Sequence, residues 1–70
     1  MTEKEMRKCI KKNVRLKTDD DKTYVGEVFH VFPNEGSDSI DNPEASICIE
    51  TTNGYYGFYE HNVLSYKILD

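Results

Sequence analysis

From Asn13 onward the chain alternates between apolar and polar positions. In Asn13-Val14-Arg15-Leu16-Lys17-Thr18, Val14 and Leu16 fall on one side and Arg15 and Lys17 on the other. A period of two over such a run predicts a strand with one buried face. Thr23 to Phe32, TYVGEVFHVF, is rich in β-branched and aromatic residues but long for one strand. Gly26 lies inside it, where a glycine marks a bulge or sharp bend. The segment therefore reads as a strand that curls across two sides of a small barrel. Ala45 to Thr51, ASICIET, alternates Ile47 and Ile49 with Cys48 and Glu50. Asn53-Gly54 predicts a type I′ hairpin turn, because both central residues must take positive φ. Tyr55 to Tyr59, YYGFY, is the returning strand; Glu60-His61-Asn62 is a short corner, and VLSYKIL ends the chain as a last strand.

Ahead of the alternation the period changes. Met6, Cys9 and Ile10 recur at i, i+3 and i+4, a narrow apolar stripe that predicts a helix over residues 2–12. Thr2 and Glu5 have the spacing of a capping box at its start. Lys8, Lys11 and Lys12 crowd its end, where cations complement the helix dipole. The stripe is expected to pack on an open end of the barrel. The predicted class is mainly β: an N-terminal α-helix followed by a five-stranded, strongly bent antiparallel sheet. The organisation is a single domain over residues 1–70, with the helix at 2–12 and the barrel at 13–70. A long loop over residues 33–44, PNEGSDSIDNPE, interrupts the barrel; it is acidic and full of turn residues.

Length limits what such a domain can do. A chain of 70 residues buries only about 60% of its unfolded surface, so its core is small. Burying further surface against another copy adds stability that the core lacks. No apolar run approaches the roughly 20 residues of a membrane span. The start, MTEKEMRKC, lacks the apolar stretch of a secretory signal. The two cysteines, Cys9 and Cys48, are too few for a disulfide scaffold. The expectation is a reduced, cytoplasmic protein.

Charge is unevenly placed along the chain. Residues 1–22 hold eight of the nine Lys and Arg and sum to +3, whereas residues 23–70 sum to −7. One reading is a basic surface that touches nucleic-acid phosphates through Lys4, Arg7, Lys8, Lys11, Lys12, Arg15 and Lys17. The other is that these cations offset an acidic body, within one molecule or between neighbours. The second is preferred, because a body at −7 repels a polyanion and phosphate binding needs a field of one sign.

The candidate reactive groups are few. Asp19, Asp20 and Asp21 are consecutive, so their carboxylates point different ways and no glycine or bidentate Glu completes a calcium loop. Aspartate collects in turns by bonding its own backbone, and a hairpin turn is the reading here. Asp38, Asp41 and Glu44 match no calcium loop. Cys9, His30, Cys48 and His61 contain no short-spaced pair of the kind zinc sites are built from. Ser37, Ser39, Ser46 and Ser65 carry no nucleophile elbow, and no glycine-rich phosphate loop exists. The chain is therefore expected to be no enzyme, with no catalytic residue, metal, cofactor or small-molecule substrate. The aromatic residues are the stronger candidates. Period two puts Tyr56 and Phe58 on one face and Tyr55, Gly57 and Tyr59 on the other; one set is core. An exposed set made of Tyr55 and Tyr59, with Phe29, suits a protein interface or the stacking of bases; the plainer alternative is that the set is partly buried under the loop or the helix.

Val14-x-Leu16, a polar turn, then Tyr24-x-Gly26-x-Val28 resembles the first motif of the Sm-like fold, one of the small SH3-like barrels. A helix followed by five curled strands resembles the layout of the same fold, and of short bacterial proteins of this barrel type. The resemblance covers nearly the whole chain by layout and about 15 residues by motif. It implies a barrel whose second strand bends at its glycine. RNA-binding Sm proteins also carry an Asp-x-x-Met-Asn segment after the second strand and an Arg-Gly pair near the fourth. Those places hold Phe32-Pro33-Asn34-Glu35-Gly36 and Thr52-Asn53-Gly54-Tyr55-Tyr56 here. The groups that clamp a base and its phosphate are missing, so no family binding residue carries over. The expected function is a non-enzymatic binding module that acts through protein contacts or self-association, with RNA binding through the basic N-terminal helix as the alternative.

Overall fold

The computed structural model describes residues 1–33 and 44–69. The elements run α1 (Glu3–Lys8), β1 (Asn13–Thr18), β2 (Thr23–Phe32), β3 (Ser46–Thr51), β4 (Gly54–Tyr59), a 3₁₀ turn (Glu60–Asn62) and β5 (Val63–Ile68). All five strands lie in one antiparallel sheet with the order β4-β3-β2-β1-β5. The fold is mainly β, and β4 and β5 are the sheet's edges. Of the loop expected at residues 33–44, only Pro33 and Glu44 fall within the described residues.

The helix is shorter than its apolar stripe predicts, Glu3–Lys8 rather than residues 2–12. Its start is as read from the sequence. The Thr2 hydroxyl accepts the Glu5 N–H at 3.2 Å, and the Glu5 carboxylate accepts the Thr2 N–H at 2.8 Å. Its end is decided by the sheet. The Lys11 N–H donates to the Val28 carbonyl at 2.7 Å, and the Val28 N–H donates to the Lys12 carbonyl at 3.0 Å. Lys11 takes a left-handed φ of 68° to make that turn. Backbone groups that a longer helix would use are thus paired with β2 instead.

Glu5 has a second task. Its other oxygen accepts the Tyr66 hydroxyl of β5 at 3.1 Å, which ties the helix to the far edge of the sheet. The Thr2 N–H, then the Tyr66 hydroxyl, hold the Glu5 carboxyl below its ordinary 4.5. A carboxylate lowered in the folded state contributes stability that is complete above its unfolded value and vanishes as pH falls through its folded one. Glu5→Gln is therefore expected to lower the melting temperature above about pH 4.5, with the gap to wild type closing in stronger acid. Thermal melts followed by circular dichroism across the acid range measure this. A gap independent of pH rules out the charged form as the source.

One face of the sheet and the inner side of α1 enclose the core: Met6, Cys9, Val14, Leu16, Val28, Val31, Ala45, Ile47, Ile49 and Val63. Tyr24, Tyr56, Phe58 and Tyr66 pack partly buried against it. Tyr56 and Phe58 are thus the core-facing set of β4. The Tyr24 ring meets both, with centroids 5.1 and 4.8 Å away.

β2 serves both halves of the sheet. Residues Thr23 to Glu27 pair with β1, and Glu27 to Phe32 pair with β3. The changeover falls beside Gly26. A Cβ there would lie 2.9 Å from the Glu50 carbonyl carbon and 3.1 Å from the Thr51 Cγ2, so the β3 backbone fills the space that any side chain needs. The glycine read from the sequence as a bend is here a point of close backbone approach.

Two turns complete the local picture. Between β1 and β2, the Thr18 N–H donates to the Lys22 carbonyl at 2.9 Å and the Asp21 N–H to the Thr18 carbonyl at 3.1 Å. Asp21 has φ 63°. The Thr18 hydroxyl donates to the Asp20 carboxylate and keeps that carboxyl below its usual range. The three aspartates form a hairpin turn, and Asp19 also donates its N–H to the Asn62 carbonyl at 2.8 Å. The β3–β4 turn differs from the sequence reading. Thr51 pairs with Gly54, so the central residues are Thr52 and Asn53 rather than Asn53 and Gly54. Gly54 alone has positive φ, 126°. The Thr51 hydroxyl accepts the Asn53 N–H and donates to the Gly54 carbonyl, each at 3.0 Å. That local bonding replaces the type I′ geometry.

Candidate interaction surface

The surface opposite the core is set by the pleat and by one irregularity. Along β2, Val28 is buried, Phe29 and His30 are both exposed, and Val31 is buried again. A β-bulge between Val28 and His30 causes this: Val28 pairs with Ile49 and His30 with Cys48, leaving Phe29 as the extra residue. Strict alternation would have put His30 and Phe32 in the core with Val28. The bulge turns both outward and brings Val31 inward.

The pairing then lays out the outer face in rows. Glu27, Glu50 and Tyr55 are opposite one another across β2, β3 and β4; His30, Cys48 and Gly57 form the next row, and Phe32, Ser46 and Tyr59 the last. Tyr55 is 70% exposed, Tyr59 55%, Phe32 54% and Phe29 47%. The Phe29 and Tyr55 rings touch edge to face at 5.3 Å, and His30 and Phe32 do so at 4.4 Å. Tyr59 stacks on His61 at 6.3 Å. The structure brings Phe29, Tyr55 and Tyr59 onto one face with His30, Phe32 and His61. The sequence signal for His30 and Phe32 was the three-residue spacing of Val28 and Val31, which breaks the period of two.

His61 also anchors the end of the loop. Glu44 accepts the His61 N–H at 2.8 Å through one oxygen and contacts the His61 Nδ1 at 2.6 Å through the other. Burial pulls the Glu44 carboxyl upward, but the His61 N–H and ring outweigh it and leave the group below its ordinary value. One residue further along, the Ala45 N–H donates to the Glu60 carboxylate at 2.9 Å.

The cations do not converge. Lys4, Arg7 and Lys8 line a shallow open groove of about 470 Å³ along α1 together with Glu3. Lys11 and Lys12 lie in the turn that follows. Arg15 and Lys17 point from β1 onto the outer face of the sheet, away from the core that α1 covers. Arg7 is bound to Glu3 at 2.7 Å. The seven residues named as phosphate contacts thus fall into two groups on different sides of the molecule.

The metal-ligating types are also dispersed. Cys9 is buried beneath the helix and Cys48 is half-buried on the outer face. Burial pushes both thiols up, away from the thiolate that nucleophilic or metal chemistry needs. Among the described residues no three His, Cys, Asp or Glu side chains gather closely enough to hold a metal ion. Ser46 and Ser65 lie on β3 and β5; Ser37, Ser39, Asp38 and Asp41 lie outside the described residues. Among the described residues no helix is long and apolar enough to cross a membrane. Comparison with family models, with curated proteins and with solved structures finds no match to this chain.

Proposed function

We propose that this chain is a small non-enzymatic binding module of the Sm-like, SH3-like barrel type, acting through protein contact and, first of all, contact with itself. The single observation that carries the reading is the outer face of β2, β3 and β4, where Phe29, Phe32, Tyr55 and Tyr59 are about half exposed or more. Aromatic residues are enriched at protein interfaces, and rings gathered on one sheet face bury large area on contact. The barrel part of the reading is supported by β2, whose two halves pair with different strands, and by the reach of Tyr24 to Tyr56 and Phe58. The edges β4 and β5 are a further place for a second chain to pair.

Replacing Phe29 and Tyr55 together by serine is expected to abolish self-association in sedimentation velocity while the far-ultraviolet dichroism stays unchanged. Association as tight as wild type in that double variant would remove the aromatic face from the reading. The RNA alternative is separated by titrating a fluorescent single-stranded RNA at low and moderate salt. Phosphate contacts give binding that falls steeply with salt; the contact reading expects no binding at either.

A further inference from the structure

The outer face carries a second feature beside the aromatic rings. Two like-charged pairs sit directly opposite one another across neighbouring strands. Arg15 of β1 is paired with Lys67 of β5, and Glu27 of β2 with Glu50 of β3. All four side chains are exposed. Like charges directly opposite each other on a sheet are destabilising. Among the described residues none of the four forms an ion pair, although Arg15 and Glu27 are diagonal neighbours on β1 and β2. The face is thus divided: a cationic pair on β1 and β5, an anionic pair on β2 and β3, and Val25, 51% exposed, between them.

We infer that this face is self-complementary and that its partner is a second copy of the chain, docked face to face about a two-fold axis. The inference rests on the contact reading above and names its occupant. Neighbouring strands are about 4.8 Å apart. An axis lying between the two faces and running between β1 and β2 sets Arg15 of each copy over Glu27 of the other, and Lys67 over Glu50. The offset is one row along the strands, roughly 7 Å, which Arg, Lys and Glu side chains span. Each like-charged pair then meets its opposite, and the same contact is made twice, as two-fold symmetry requires. Val25 and the stems of the long side chains supply apolar contact, and the Phe29–Tyr55 pair flanks it. This arrangement leaves the edges β4 and β5 free.

Two charge-reversed chains test it. Glu27→Lys with Glu50→Lys makes all four of these charges cationic; Arg15→Glu with Lys67→Glu makes all four anionic. By sedimentation velocity each alone is expected to lose self-association by about tenfold or more, because like charges face each other across the contact. An equal mixture of the two is expected to associate again, as a heterodimer. Net charge alone predicts otherwise, since the first variant moves the chain from −4 to zero and would associate more readily. Wild-type association is also expected to weaken as salt rises, a measurement that needs no variant to fold. Either variant associating like wild type, a mixture no tighter than its parts, or salt-independent association overturns the face-to-face pairing while leaving a contact module that uses another surface. A wild type that stays monomeric at every concentration overturns both.

Discussion

Gly26→Val is expected to remove most of the stability of the fold. The site is on the core side of β2, where β2 exchanges β3 for β1 as its partner. An added Cβ would meet the Glu50 carbonyl group and the Thr51 side chain, with the Glu50 carbonyl carbon at 2.9 Å. The obstacle is backbone, so no rotamer change relieves it. Either β3 shifts away and weakens its ladder to β2, or β2 itself shifts and disturbs the seat of Tyr24 against Tyr56 and Phe58. Overpacking costs about 1–3 kcal/mol where neighbours give way, and more where they cannot. A chain this short holds roughly 4–10 kcal/mol in all. Urea denaturation should place the variant at least about 3 kcal/mol below wild type, with Gly26→Ala in between. A loss under roughly 1 kcal/mol would mean that β2 and β3 separate easily at this point.

Leu16→Ala is expected to have the next largest effect. Leu16 is fully buried at the middle of β1, opposite Tyr24 on one side and Tyr66 on the other. Truncation removes three carbons and leaves a cavity that both aromatic neighbours border, and such changes cost about 2–5 kcal/mol. Leu64→Ala is the matched control. Leu64 is 63% exposed on the edge strand, and its truncation should stay within about 0.5 kcal/mol of wild type. Paired chemical melts of the two variants decide it. Equal losses would mean that β5 is covered in solution, as an interface through that edge would require.

Much of the fold was legible because it rests on local rules. The capping box at Thr2 and Glu5 is a short-range hydrogen-bond exchange, and its spacing is visible in the residues. Val14 and Leu16 against Arg15 and Lys17 state which side of β1 is buried. Asp19 to Asp21 behave as turn residues because aspartate bonds its own neighbourhood. The length of α1 was not legible in the same way: its stripe continues through Cys9 and Ile10, but the backbone of Lys11 and Lys12 finds Val28, a partner distant in sequence.

The surface shows the same division. Period two separates Tyr55 and Tyr59 from Tyr56 and Phe58, yet it is silent about which pair is core, because either face of an isolated strand is equivalent. Packing against Tyr24 and the buried isoleucines of β3 decided it. The bulge at Phe29 decided that His30 and Phe32 join the exposed rings. Register decided that Glu27 meets Glu50 and Arg15 meets Lys67, which no spacing along the chain reveals. The residues alone determined a helix and a set of strands, since these depend on neighbours a few positions away. Which face of β4 is buried, where the helix stops and which charges confront each other depend on contacts between distant segments, and only the tertiary structure supplies those.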